Sequence, residues 1–166
     1  DRWNAKKAFQ FDALVALEAE IATLEAETGL SAGYRRSGRL IPLAKPHSRD
    51  IAHGHARDAL SVWQTPERAF AFEVLDTSPV AGWPCRTAMA SGLVHDRLAA
   101  RLSPRALLVA LRTALARLPN VTIREGAGLQ ALDPATGIAC FEDGSSLAFG
   151  HCVLAAGVET FALLAP

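Results

Sequence analysis

The chain has no charge of either sign to spare, because 17 Lys plus Arg balance 17 Asp plus Glu. No net field therefore steers it toward nucleic acid, a membrane surface or acidic ligands. Its longest apolar runs are far too short to cross a bilayer, and the opening residues, DRWNAKKAFQFD, lack the uninterrupted apolar core of a secretory signal. A cytoplasmic protein with no membrane-spanning segment is expected. Cysteine is also sparse: Cys85, Cys140 and Cys152 are odd in number, widely separated and contain no C-x-x-C. That excludes a disulfide framework and a zinc knuckle, and the three read as reduced, small core residues. A catalytic thiol would need a thiolate-stabilising neighbour, which no sequence rule draws from the five histidines. His53 and His55 are two apart and do not share a helical face, and His47 has no carboxylate at ligand spacing, so no metal site is expected.

What is present is a chain of 166 residues, half of them hydrophobic, long enough for one core or for pieces of two domains. In residues 4–28, Leu14, Leu17, Ile21 and Leu24 recur at three- and four-residue steps, with Glu18, Glu20, Glu25 and Glu27 on other faces. This predicts an amphipathic helix with Asn4 as N-cap and Gly29 as its left-handed C-terminal stop. The apolar pattern lasts too few heptads to favour a coiled coil. Residues 34–36 and 39–43 around Ser37-Gly38 read as a hairpin. Its arginines, Arg35, Arg36 and Arg39, are candidates for binding a carboxylate or phosphate, against the plainer reading of a solvated hairpin.

A second helix is expected over residues 48–60, capped by Ser48, and a strand over residues 70–76. Residues 85–94, CRTAMASGLV, show no period; they line a pocket or cross a surface. Ser103 and Pro104 then supply an N-cap and a favoured first helical residue, followed by a stripe of Leu107, Leu108, Leu111, Leu115 and Leu118. A short strand over residues 121–124 follows, and then three extended runs, 129–132, 138–141 and 145–149, separated by Asp133-Pro134 and by Asp143-Gly144. These predict a three-stranded antiparallel meander. It leads into residues 151–160, HCVLAAGVET, where Cys152, Val153 and Leu154 read as a buried strand. Ala155, Ala156 and Gly157 strip away side-chain bulk where that strand stops. Either a cofactor approaches there, or the strand end packs closely against a helix.

In this order, GYRRSGRLIPL, the DRLAARLSPRALLVALRTAL helix, VTIREGAGLQALD and VLAAGVET together resemble the FAD-dependent oxidoreductases of the D-amino-acid oxidase and glycine oxidase superfamily. The resemblance covers most of the chain. It implies an α+β (mixed α/β) architecture: a helical lead-in and a portion of a substrate domain, residues 1–95, and part of a split Rossmann-type FAD-binding domain with the meander, residues 96–166. It also implies oxidation of a small-molecule amine or amino acid by hydride transfer to flavin, and places Leu129, after Glu125-Gly126, near the adenine and Ala156-Gly157 close to the cofactor. Such chemistry requires no obligatory side-chain acid or base, so no catalytic residue is assigned; Arg35, Arg36 and Arg39 remain candidates for a substrate carboxylate.

The sequence departs from the superfamily in lacking its G-x-G-x-x-G loop. Gly54, Gly82 and Gly92 stand alone, and Gly126-Ala127-Gly128 has no helix behind it. With Asp1 opening almost directly on a helical pattern and Pro166 following the start of another, the expectation is an internal portion of a longer flavoenzyme. Such a portion is expected not to hold FAD by itself and to self-associate through exposed apolar edges. The competing reading is a non-enzymatic α+β binding or assembly module.

Overall fold

The computed structural model describes residues 3–164. Helices and two small antiparallel sheets make an α+β chain that divides into two compact units, Asp1–Pro119 and Asn120–Pro166.

In the first unit, α1 (Ala5–Thr28) starts and stops as its sequence predicts. The Asn4 carboxamide oxygen accepts from the Lys7 amide at 3.0 Å, and Gly29 closes the helix at φ 73°, donating to the Glu25 carbonyl at 2.8 Å. The buried face differs from the one expected. Phe11 and Ile21 are buried while Leu14 is partly exposed, because Phe11 joins Phe70 and Leu98 in an aromatic-rich cluster with Trp3, Val15 and Trp63. Two T-shaped ring contacts fix it, Phe11 on Trp3 at 6.2 Å and on Phe70 at 6.0 Å.

Strands β1 (Arg39–Pro42), β2 (Phe72–Leu75) and β3 (Leu93–Asp96) form an antiparallel sheet in the order β1-β3-β2. The hairpin expected around Ser37-Gly38 does not form. Arg39–Pro42 pairs with Leu93–Asp96 instead, and the Arg35 amide donates to the Arg101 carbonyl at 2.8 Å. The reason is burial: Leu93 and Val94 are the largest fully buried side chains among the described residues, and a local hairpin would leave the β1 side of their strand uncovered. The aperiodic stretch 85–94 therefore leads into the central strand.

Helix α2 (Pro46–Val62) covers one sheet face, where Leu43, Ala52 and Val94 are buried together with Ile41, Phe72 and Val74 against them. It begins earlier than predicted: Lys45 is the cap residue and Pro46 opens the first turn, where its missing N–H costs nothing. Helix α3 (Pro104–Leu115) starts as expected, with the Ser103 hydroxyl accepting from the Ala106 amide at 3.3 Å. Its leucine stripe does not become core. Ala110 is buried and α3 packs on α1, while Leu108, Leu111 and Leu115 stay exposed. A small residue at the contact lets the two backbones approach, and Arg117 clasps them by donating to the Glu27 carbonyl.

In the second unit the expected meander is present: β4 (Leu129–Asp133), β5 (Ile138–Phe141) and β6 (Ser146–Ala148) pair antiparallel in sequence order, and α4 (Glu159–Leu164) packs on β4. The strands expected at 121–124 and 152–154 do not form, since no described strand lies beside either one, and Val153 is 90% exposed. The cysteines are likewise not core. Cys140 alternates outward from the buried Ala139 on β5, and Cys85 and Cys152 lie in exposed irregular segments.

The β4–β5 turn is tied by Asp133, whose carboxyl pKa lies below the usual value. The largest cause is the Thr136 hydroxyl at 2.6 Å, followed by the backbone amides of Thr136 and Ala135. A carboxylate lowered in the fold contributes stability above its unfolded pKa, and loses it as pH falls through the folded one. Acidification below the ordinary carboxylate range should therefore loosen this turn. Amide exchange of the meander as a function of pH measures it, and Asp133→Asn should flatten the response.

Candidate functional site

The order β1-β3-β2 brings residues from distant parts of the sequence to one end of the sheet, beside a cavity of about 950 Å³ in the first unit. Its polar lining includes Arg39, His95, Asp96 and Arg101, and its apolar lining includes Leu40, Phe72, Val80 and Trp83. A concave, mainly apolar space with a few convergent charged groups is the usual form of a small-molecule site.

Asp96 organises the polar end. It is buried, and one carboxylate oxygen accepts from the amides of Leu98 and Ala99 at 2.9 and 3.2 Å. The other accepts from Arg39 Nη2 at 2.8 Å. The Arg39 side chain is 61% exposed, so Asp96 holds one edge of the guanidinium while the remaining N–H groups face outward. Gly38 makes the close approach possible: it sits at φ 70°, and a Cβ there would lie 3.0 Å from His95 Nε2 and 3.1 Å from the Asp96 carbonyl. On the opposite face of β3, His95 Nδ1 lies 3.8 Å from Glu73, which Arg97 Nε holds at 2.8 Å.

The three arginines singled out in the sequence are thereby separated. Arg36 is a packing element: its side chain is 5% exposed, it donates to Glu18 at 2.9 Å and to the Leu98 and Leu14 carbonyls at 2.6 and 3.0 Å, and it lies 5.1 Å over the Phe70 ring. Beside it, burial raises the Tyr34 phenol above its ordinary range, against the opposing pull of the Arg36 guanidinium. Arg35 is exposed and takes part through its backbone. Arg39 lines the cavity. Asp96 and Arg101 lie in the DRLAARLSPRALLVALRTAL stretch, but nothing in the sequence singled them out as site residues.

A second cavity of about 300 Å³ lies between α1, α2 and the sheet, lined among others by Trp3, Phe11, Val62, Trp63, Phe72 and Leu98. Phe72 is packed edge-on by Trp63 at 5.6 Å and by His55 at 6.2 Å. Among the described residues no group of three or more His, Cys, Asp or Glu could hold a metal ion.

In the second unit, Leu129 opens β4, half-buried and opposite Phe141. Ala156 and Gly157 lie in an exposed turn immediately before α4, with Gly157 at φ 61°. A Cβ on Gly157 would meet nothing nearer than the Glu159 carboxylate at 3.8 Å, so the space beside the turn is open. Because α4 packs on β4, the sheet strand and the turn belong to one small assembly. Among the described residues no helix is long and apolar enough to cross a membrane. A family model described as FAD dependent oxidoreductase matches residues 4–166. No curated protein matches the chain.

Proposed function

The chain belongs to the FAD-dependent oxidoreductases, and from that premise we propose that it serves the oxidation of an amine or amino acid. The observation that carries this reading is the Arg39 guanidinium at the cavity, tied along one edge to Asp96 and otherwise exposed, a fork suited to a carboxylate. On this reading residues 1–95 hold a helical lead-in and the substrate-binding portion and residues 96–166 the FAD-binding portion, with Asp96, Leu98 and Arg101 at the start of the latter lining the substrate cavity.

FAD, when bound, supplies the hydride acceptor, and the protein supplies binding, orientation and electrostatics. The open turn at Ala156 and Gly157 fits a cofactor approaching bare backbone, and Leu129 would contribute from the first position of β4. The pyrophosphate has no equivalent cradle in this sequence, which has no G-x-G-x-x-G loop. Residues 1–166 alone are therefore proposed not to retain FAD.

The test is spectroscopic. The full-length protein should purify with flavin absorbance, and anaerobic addition of its substrate from a panel of amines and amino acids should bleach it. A flavoprotein reduced by none of the panel, or a colourless protein that added FAD does not stabilise thermally, would overturn the reading.

A further inference from the structure

The 950 Å³ and 300 Å³ cavities share four lining residues, Leu14, Trp63, Phe72 and Leu98. The sheet register says how their chemistry is laid out. Arg39 pairs with Asp96 on one side of β3, and Phe72 pairs with the same Asp96 on the other. Directly opposed residues in an antiparallel sheet project to the same face, so guanidinium, carboxylate and phenyl ring form one row across three strands. Two strand spacings, on the order of 10 Å, separate the ends of that row. At one end the Arg39 N–H groups face the larger cavity. At the other, Phe72 is ringed by Trp63 and His55 and opens on the smaller, apolar space.

We infer that the substrate is a carboxylate bearing a large apolar or aromatic side chain, which enters the cavity between α1 and α2 while Arg39 holds the carboxylate. The inference rests on the Arg39 reading above and adds a size and polarity requirement to it. A substrate the size of glycine would use the guanidinium and leave the space lined by Trp3, Phe11, Val62 and Trp63 unfilled. An aryl side chain would remove that apolar wall from water. The smaller cavity, about 300 Å³, lies at the lower end of the range found for small-molecule pockets.

Calorimetric titration of the full-length protein with acetate, 3-phenylpropionate and indole-3-propionate tests this. Burying a phenyl-sized group should make the aryl acids bind on the order of tenfold to a hundredfold more tightly than acetate. Two cavity-filling variants that line the smaller cavity alone, Gln10→Trp at an exposed position of α1 and Val62→Phe at the end of α2, should abolish that preference and leave acetate binding unchanged. Arg39→Gln should weaken all three ligands alike. Equal affinity for acetate and the aryl acids would overturn the side-chain cavity and leave the Arg39 reading standing. So would a preference that persists in both filled variants. Binding unaltered by Arg39→Gln would instead overturn the carboxylate reading itself, and the inference with it.

Discussion

Replacing Asp96 with alanine is expected to destabilise the first unit by about 3 kcal/mol, measured as a lowered midpoint in chemical denaturation. The carboxylate does two jobs at once. Its first oxygen satisfies the Leu98 amide, which is buried, and the Ala99 amide, and alanine leaves the Leu98 amide unpaired and out of reach of water. Its second oxygen binds Arg39 at 2.8 Å, but that guanidinium is more than half exposed and can turn to solvent, so the ion pair adds little to the total. Most of the cost therefore comes from the turn after β3. Asp96→Asn keeps an acceptor for the two amides and should lose about half as much. Both variants release Arg39, so both should weaken carboxylate binding even where they remain folded. A loss equal in Asp96→Ala and Asp96→Asn would show that the charge, and not the turn, dominates.

Gly92→Ala is expected to cost about as much, for a different reason. Gly92 lies at φ 93°, where an L side chain is strained, and its new Cβ would stand 2.6 Å from the Leu75 carbonyl oxygen and closer still to Arg49 Nη1. The guanidinium can swing away only by giving up its bonds to Asp76 at 2.8 Å and to the Ser91 carbonyl at 3.0 Å. The carbonyl cannot move, because Leu75 is the cross-strand partner of Leu93. Strain and clash together predict a loss of roughly 3 kcal/mol or more by the same denaturation measurement. Adding Arg49→Ala to the variant should recover only the minor part due to the side chain, since the contact with Leu75 is between backbone and Cβ.

How much of this could be read from the sequence depends on the range of the interaction concerned. Caps and turns act over three or four residues, and Asn4, Gly29, Ser103-Pro104 and Asp143-Gly144 all sit where their chemistry predicts. The central strand was invisible because LVHD is enclosed on both faces and shows no alternation, and its partners lie far away in the chain. The same non-local pairing removed the hairpin at Ser37-Gly38. It also hid the ion pair of Asp96, which exists only once Arg39 of β1 is beside it. Arg39 was visible as an arginine, but its separation from Arg36 depends on which one meets Glu18 of α1. Leu129, Ala156 and Gly157 rest on resemblance to the superfamily, because an exposed turn of small residues does not itself specify a ligand.

The place of β3 in the chain bears on how the first unit is made. Both edge strands are synthesised before the strand that joins them, so β1 and β2 have no partner until Leu93–Asp96 has emerged. Until then the apolar side chains of Ile41, Phe72 and Val74 have only α2 to shelter them, and closure of the β1–β3 loop must wait for a long-range pairing. A nascent chain in this condition offers unpaired strand edges to any neighbour, which makes this interval the one in which a chaperone would matter most.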